Sequence, residues 1–409
     1  MELRDYQIKI SNKAASILSD FKLVYLALQA RTGKTITAMQ IVRKNGFKNV
    51  LFVSKKKALV SIEKDYRFFS DFFKMTVVNF ESVHKCTEDY DLVIVDEAHS
   101  IGAFPKPSKR AKVLKEMCID KPVIFLSATP TPESFSQLFH QFCISSFSPW
   151  KNYKSFYRWA KDYVKVKKKY VYNREINDYS DAKINLIENK VDHLFLRFTQ
   201  EQAGFNNIIK EKFLTVQMSE AQKKAIQLIL KDGIIETKDG NVIIADTAVK
   251  KQSKIHQISS GTCKNEEGGY HIISLNKANA IKDYFKGRKI AIYYKFKAEL
   301  EALKHVFDNY TEIPELFQET TDLVFFGQFV SGREGVRLDT AEAIVFYNID
   351  FSFLSYEQAK NRIVSKERES EAVLYWVFSE CSIEEKIYKS VCDKKNYTNY
   401  HFKKDYYGK

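Results

Sequence analysis

Apolar residues along this chain fall into short unbroken runs separated by longer amphipathic stretches. In the first third the runs are 23–28 (LVYLAL), 49–54 (NVLFVS), 76–80 (TVVNF), 91–95 (DLVIV) and 122–127 (PVIFLS). A run that is apolar at consecutive positions, without alternation, predicts a strand buried on both faces. Helical periods fill the gaps, at 34–45 and 108–118. Alternating strands and helices imply a parallel sheet covered by helices on both sides.

The pattern changes near residue 146. Strand-like runs stop, and helical periods are expected at 153–166 and 184–198. A second α/β pattern then returns. Its strands are expected at 213–217, 289–294, 322–326, 343–348 and 373–379, and its helices at 219–231 and 296–307. Ser382 with Glu385 reads as a capping box for one more helix. Residues 232–275, with Gly233, Gly240, Gly261, Gly268 and Gly269, are the least regular part. The expected division is an α/β domain at 1–145, a helical, basic and aromatic insert at 146–212, a second α/β domain at 213–390 and a Lys/Tyr-rich tail at 391–409. A chain of 409 residues also exceeds the ~250–300 residues at which single cores stop growing.

Lys and Arg number 65 and Asp and Glu 51, which gives a net charge of +14. That balance suggests a polyanionic partner. A lysine-biased codon usage gives the same balance, and charge alone does not separate nucleic acid from an anionic membrane. The six cysteines form no C-x-x-C pair, so neither a zinc site nor a disulfide scaffold is expected. No basic-then-apolar leader opens the chain, and no run reaches the ~20 apolar residues of a membrane span. A soluble cytoplasmic protein is expected.

Two short motifs carry the chemistry. Ala30-Arg31-Thr32-Gly33-Lys34-Thr35 follows the first strand and opens a helix. Gly33 permits close backbone approach to phosphate, and amides at a helix N-terminus bind it. Lys34 would neutralise the β- and γ-phosphates, and Thr35 would offer a hydroxyl to magnesium. The usual first glycine of this pattern falls at Leu28. The second motif, Leu92 to Ala98, ends an apolar strand in Asp96 and Glu97. Asp96 would hold magnesium through water, and Glu97 would activate the attacking water. His99 would link this site to Leu126-Ser127-Ala128-Thr129-Pro130, where Ser127 and Thr129 are the coupling candidates. Together they point to hydrolysis of ATP with Mg2+.

Loop, Asp-Glu-Ala-His and Ser-Ala-Thr in this order resemble superfamily 2 helicases and translocases. Leu3-Arg4-Asp5-Tyr6-Gln7 resembles their adenine-reading element, with Gln7 as the adenine contact and Arg4 beside it. The second half looks most like the Swi/Snf-type branch. Ser331-Gly332-Arg333-Glu334-Gly335-Val336-Arg337-Leu338 resembles motif V, with Gly335 toward the nucleotide. Tyr356-Glu357-Gln358-Ala359-Lys360-Asn361-Arg362 resembles the start of motif VI, and Ile383-Glu384-Glu385-Lys386-Ile387 resembles the closing helix. The compact size and the Arg-Thr-Gly-Lys-Thr loop are similar to small phage-encoded members, for which the location would be the host cytoplasm.

This resemblance implies two RecA-like parallel-sheet domains in tandem, with ATP between them. Lys34, Asp96 and Glu97 are then catalytic in the first domain, and Gln358 with the arginines of motif VI in the second. An arginine there stabilises charge on the γ-phosphate, an effect of ~10³–10⁵ in rate in other phosphoryl-transfer systems. The pattern departs at one point. Gln-x-x-x-Arg-x-x-Arg places its first arginine at Arg362, but its second falls on Ser365. Arg368, three residues on, is the favoured substitute.

The resemblance also implies a nucleic-acid track, gripped mainly at phosphates. Candidates are Ser54, Lys55, Asn79 and Ser82 in the first domain and Ser331, Gly332 and Arg333 in the second. Between 151 and 180 nine Lys or Arg face three acids, with eight aromatics interleaved. Lys165, Lys167, Lys168 and Lys169 form the candidate basic patch there, while most of the aromatics suit the core of a small subdomain. A DNA translocase or helicase acting as a monomer on duplex or branched DNA is the leading expectation. An RNA helicase is the alternative enzyme, disfavoured by Asn361 where a glycine is typical. A nucleotide-gated binder with weak turnover rests on Ser365 and is opposed by Glu97. A metabolic P-loop kinase would not explain the later motifs.

Overall fold

The computed structural model describes residues 2–171, 174–205, 209–236, 240–329, 338, 340–352, 356, 372–393 and 405. The chain forms two compact units, Met1–Gly204 and Phe205–Lys409.

Unit 1 runs α1 (Asp5–Phe21), β1 (Leu23–Leu28), α2 (Lys34–Asn45), β2 (Asn49–Ser54), α3 (Leu59–Tyr66), β3 (Lys74–Asn79), β4 (Leu92–Val95), α4 (Lys109–Cys118), β5 (Val123–Leu126), α5 (Gln137–Phe142), α6 (Phe156–Tyr163), β6 (Lys167–Val171), β7 (Arg174–Asp178), α7 (Ile184–Val191) and β8 (Phe195–Phe198). Six strands make one parallel sheet in the order β3-β2-β4-β5-β1-β8. The side chains of β4 and β5 are buried throughout, as unbroken apolar runs require of a sheet with two covered faces. One core packs Tyr25, Val93, Val95 and Phe125 against α4 to α7. The other packs Val24, Leu26, Phe52 and Ile94 against α1, α2 and α3. Ser108 caps α4 by accepting the Ala111 amide at 3.1 Å.

The helical reading of 146–212 needs amending. The segment holds α6 and α7, but also the antiparallel hairpin β6–β7, and it supplies the edge strand β8 to the first sheet. The helix expected at 184–198 stops at Val191, and Phe195-Leu196-Arg197-Phe198 pairs with β1. The apolar residues of that run satisfy helical spacing and strand burial alike.

Unit 2 runs β9 (Ile209–Val216), α8 (Glu220–Lys231), β10 (Ile234–Glu236), β11 (Val242–Ile244), α9 (Ala248–Ser259), β12 (Thr262–Lys264), β13 (Tyr270–Ile272), α10 (Asn276–Tyr284), β14 (Ile290–Tyr294), α11 (Lys297–Val306), β15 (Tyr310–Thr311), α12 (Pro314–Glu319), β16 (Val324–Gln328), β17 (Ala343–Phe346), β18 (Ala372–Ser379) and α13 (Ile383–Cys392). A second all-parallel sheet has the order β15-β16-β14-β17-β18-β9. The expected pair of RecA-like α/β domains is therefore present. The region read as irregular, 232–275, is built of two small hairpins around α9. The cap of α13 also differs: Ser382 accepts the Glu384 amide at 3.2 Å, and the Glu384 carboxylate, not that of Glu385, takes the Ser379 amide at 2.8 Å.

Candidate functional site

Every strand of a parallel sheet points its C-terminal end the same way, so the loops after β1, β2, β4 and β5 share one edge. The phosphate loop lies after β1. Gly33 caps α2 with φ 80° and ψ 38°, and Arg31 also has positive φ. The glycine is required on two counts. Its backbone is left-handed, and a Cβ there would come within 2.2 Å of Gln7 Nε2. Lys34 and Thr35 begin α2, where amide groups lack helical acceptors and favour an anion. Thr32 is fully buried and donates its hydroxyl to Gln29 O at 2.8 Å.

Two neighbouring elements brace the loop. Gln7, nearly buried, accepts the Arg4 amide at 2.9 Å through Oε1, while its amide nitrogen lies over Gly33. Arg4 itself is exposed and reaches Tyr6 Oη at 3.1 Å. Tyr6 stacks on Phe198, ring centres 4.9 Å apart, and donates to Thr32 O at 3.2 Å. Beyond β8, Gln200 donates its backbone amide to Gln29 Oε1 at 2.7 Å and its side-chain amide to Ala30 O at 2.9 Å. The sequence reading quoted Tyr6 only as part of its motif, with no role of its own, and missed Gln29, Phe198 and Gln200. The signal was the short run ending in Phe198, absorbed into an over-long helix.

The acidic pair sits at the end of β4. Asp96 accepts the Ser54 hydroxyl at 2.7 Å. Burial is the largest influence on its carboxyl and the charge of Glu97 the next; they push it up to about 6 against the opposing pull of Ser54 and Lys34. Such a carboxyl is poised for a cation: Lys34 and a divalent metal both favour its charged form. Glu97 adopts φ 49° and ψ 45°, a left-handed conformation costly for a residue with a side chain. Its Oε2 lies 3.2 Å from His99 Nδ1, which in turn is 2.9 Å from Ser127 Oγ. Ser127 also accepts the Thr129 amide at 3.1 Å. Gln141 holds this last loop by donating to Pro130 O at 2.8 Å and accepting the buried Tyr25 hydroxyl at 2.7 Å. A continuous polar path therefore joins Glu97 to Ser127 and Thr129 across adjacent strands β4 and β5, with His99 and Ser127 buried.

One candidate changes task. Ser54 is fully buried and its hydroxyl is committed to Asp96, so it cannot grip a phosphate from the surface. The β2–β4 register, Val53 opposite Val95, is what brings the two together. Lys55, Asn79 and Ser82 lie partly exposed at the ends of β2 and β3. The basic patch on β6 is less free than composition suggests. Lys167 pairs with Asp181 at 2.7 Å and Lys168 with Glu175 at 3.0 Å; Lys169 shares the same strand. Ser331, Gly332, Arg333, Gly335, Gln358, Arg362 and Arg368 lie outside the described residues, as does most of the tail. Tyr356, which opens the Gln358 segment, donates to Glu211 at 3.1 Å. No described helix is long and apolar enough to cross a membrane.

The donor set fits a magnesium nucleotide. It combines a left-handed glycine at a helix start, a lysine, a hydroxyl and a buried aspartate whose charged form a cation would stabilise. Among curated proteins no match is found. The SNF2-related domain matches residues 33–266, from the phosphate-loop glycine through Asp96, Glu97 and Ser127 and into unit 2. That span is more than half of the chain, and the protein belongs to this Swi/Snf-type branch of superfamily 2, whose ATPases act as nucleic-acid translocases and helicases.

Proposed function

We propose that this chain is an ATP-driven DNA translocase or helicase that works as a monomer in the cytoplasm on duplex or branched DNA. The observation that carries the reading is the shared sheet edge where Gly33, Lys34, Asp96 and Glu97 meet a buried path to Ser127 and Thr129. A pure binding module has no use for such a path.

Lys34 and the amides at the start of α2 would hold the β- and γ-phosphates. Thr35 and Asp96 would hold Mg2+, which supplies positive charge to the leaving phosphates. Glu97 would take the proton of the attacking water, its carboxylate aimed by its strained backbone and by His99. His99, Ser127 and Thr129 transmit the state of that carboxylate to the loop after β5. Gln358, Arg362 and Arg368 are assigned to the γ-phosphate, with Arg368 in place of the arginine that Ser365 lacks. Gln7 and Arg4 are assigned to the adenine side. On the track, Lys55, Asn79, Ser82, Ser331, Gly332 and Arg333 are assigned to phosphates. Duplex DNA is favoured because the second-half motifs are Swi/Snf-like.

Displacement of a triplex-forming oligonucleotide from a duplex tests the movement. ATP-dependent displacement without separation of the duplex strands is expected. ATP turnover with neither displacement nor strand separation would contradict a motor.

A further inference from the structure

Helix α5 is short and buries all six of its residues, among them the polar Gln137, His140 and Gln141. Polar side chains are held inside a protein where they find partners, and here the partners are loops of the site. Gln141 holds Pro130 O and the Tyr25 hydroxyl. Gln137 Oε1 accepts the Glu133 amide at 3.1 Å, in the same loop after β5. His140 Nε2 donates to Pro105 O at 3.0 Å, in the loop after β4. Gly102 lets that second loop approach α5 closely, since a Cβ there would stand 2.8 Å from Gln137 O. The helix therefore ties together the loops that carry Glu97 and Ser127.

The N-terminal end of α5 is fastened elsewhere. Ser136 occupies its cap position, where a serine ordinarily accepts an amide of the first turn, yet its hydroxyl takes none of the helix amides. It donates instead to Tyr179 O at 2.6 Å. Ser134 donates to Ser180 O at 2.7 Å and accepts the Ser136 amide at 3.1 Å. Both serines are buried. Tyr179 and Ser180 directly follow β7, at the base of the β6–β7 hairpin. That base is closed where the Lys165 amide meets Asp181 O at 2.8 Å and Val164 bridges Ala182. Beyond it Lys165, Val166, Lys167 and Lys168 are exposed in succession, as are Ile176 and Asn177 on β7. Successive strand residues point to opposite faces, so neither face of this part of the ribbon is covered.

We propose that the β6–β7 hairpin senses duplex DNA, and that Ser134 and Ser136 pass its position through α5 to the loops carrying Glu97 and Ser127. This coupling rests on the reading of the chain as a DNA motor, and it gives the track a route to the hydrolytic carboxylate. A duplex is the partner the ribbon suits, because a two-stranded ribbon fits the major groove. Residues 165–181 carry five cationic residues against three acids. The pairs Lys167–Asp181 and Lys168–Glu175 are solvent-exposed, so their attraction is weak and a phosphate can replace the acid. Ser134 and Ser136 are positioning residues, which act by holding the hairpin to α5.

The test measures ATP turnover by the full-length protein against the concentration of a blunt DNA duplex, with binding of the same labelled duplex followed by fluorescence anisotropy. Ser134→Ala/Ser136→Ala is expected to keep basal turnover and duplex affinity within about twofold and to lose roughly three- to thirtyfold of the stimulated kcat. Lys165→Ala/Lys167→Ala/Lys168→Ala is expected to show the other half of the split: weaker binding, with the half-stimulating duplex concentration raised at least about fivefold. Ser134→Thr/Ser136→Ala keeps one donating hydroxyl and recovers part of the stimulation. A double serine variant stimulated as the native protein is, or one whose basal and stimulated turnover fall together, overturns the coupling and leaves the motor reading intact. A lysine variant with native affinity and native half-stimulation overturns the hairpin as the sensor. A native protein whose turnover the duplex does not stimulate overturns the duplex-motor reading, and the coupling with it.

Discussion

Replacing Asp96 by asparagine should stabilise unit 1 while abolishing its chemistry. In the native protein this carboxyl is pushed from its ordinary 3.8 up to about 6 by burial and by Glu97. The native state therefore holds a proton on Asp96 through a pH window in which the unfolded chain has released it. A raised acid pKa contributes stability that is full below 3.8 and lost as pH climbs past about 6. At about 1.4 kcal/mol per pH unit, the loss reaches ~3 kcal/mol near neutrality. The side chain introduced by Asp96→Asn carries no charge, and its carbonyl can still accept the Ser54 hydroxyl now 2.7 Å from the carboxylate. The variant should then exceed the native protein by up to ~3 kcal/mol at pH 7.5, with the difference vanishing by pH 4. Urea unfolding at several pH values measures this, followed by the emission of Trp150 and Trp159, both buried in unit 1. Magnesium with ATP should stabilise the native protein and leave the variant nearly unmoved. A variant no more stable than the native protein at pH 7.5, or a difference independent of pH, would refute the electrostatic reasoning.

Three more outcomes are expected. Gly33→Ala forces a side chain into a left-handed position and against Gln7, so it should cost about 1–2 kcal/mol in thermal unfolding and most of the nucleotide affinity; an unchanged melting temperature would contradict the strain. Ser127→Ala strips His99 of its 2.9 Å partner and should keep ATP binding while losing stimulation of turnover by DNA; full stimulation in this variant removes the path from Glu97 to Ser127 from the account. In unit 2, Lys277 and Glu384 form a buried pair at 2.6 Å, and burial already pushes Glu384 up. Lys277→Met leaves that carboxylate unpaired and should destabilise by ~3–5 kcal/mol, less at acid pH where Glu384 is protonated; Lys277→Met/Glu384→Leu should recover part of the loss, and an additive double variant would argue against direct pairing.

Much of the sheet was legible because its strands are covered on both faces. The runs at 23–28 and 49–54 and the helix at 34–45 coincide with β1, β2 and α2. What escaped depends on partners distant in sequence. β8 is a strand only because β1 offers it an edge. α9 reads as polar and irregular, yet it buries Gln252, Lys254 and His256. The two titratable ones are tolerated inside because His256 bonds Asn348 and Lys254 lies 3.3 Å from Glu266. The motif residues were visible as types and spacing, but their division of labour was not. Ser54 reads as a surface hydroxyl until the β2–β4 register sets it beside Asp96. Gly33 reads as a phosphate glycine, and only the packing of α1 shows that Gln7 also demands it.

The most direct measurement is steady-state ATPase activity without nucleic acid, then with duplex DNA, single-stranded DNA and RNA, using Lys34→Ala as the control. The account predicts turnover that depends on Lys34 and is stimulated most by duplex DNA. Turnover absent on every polymer, or equal in the Lys34→Ala protein, would contradict it.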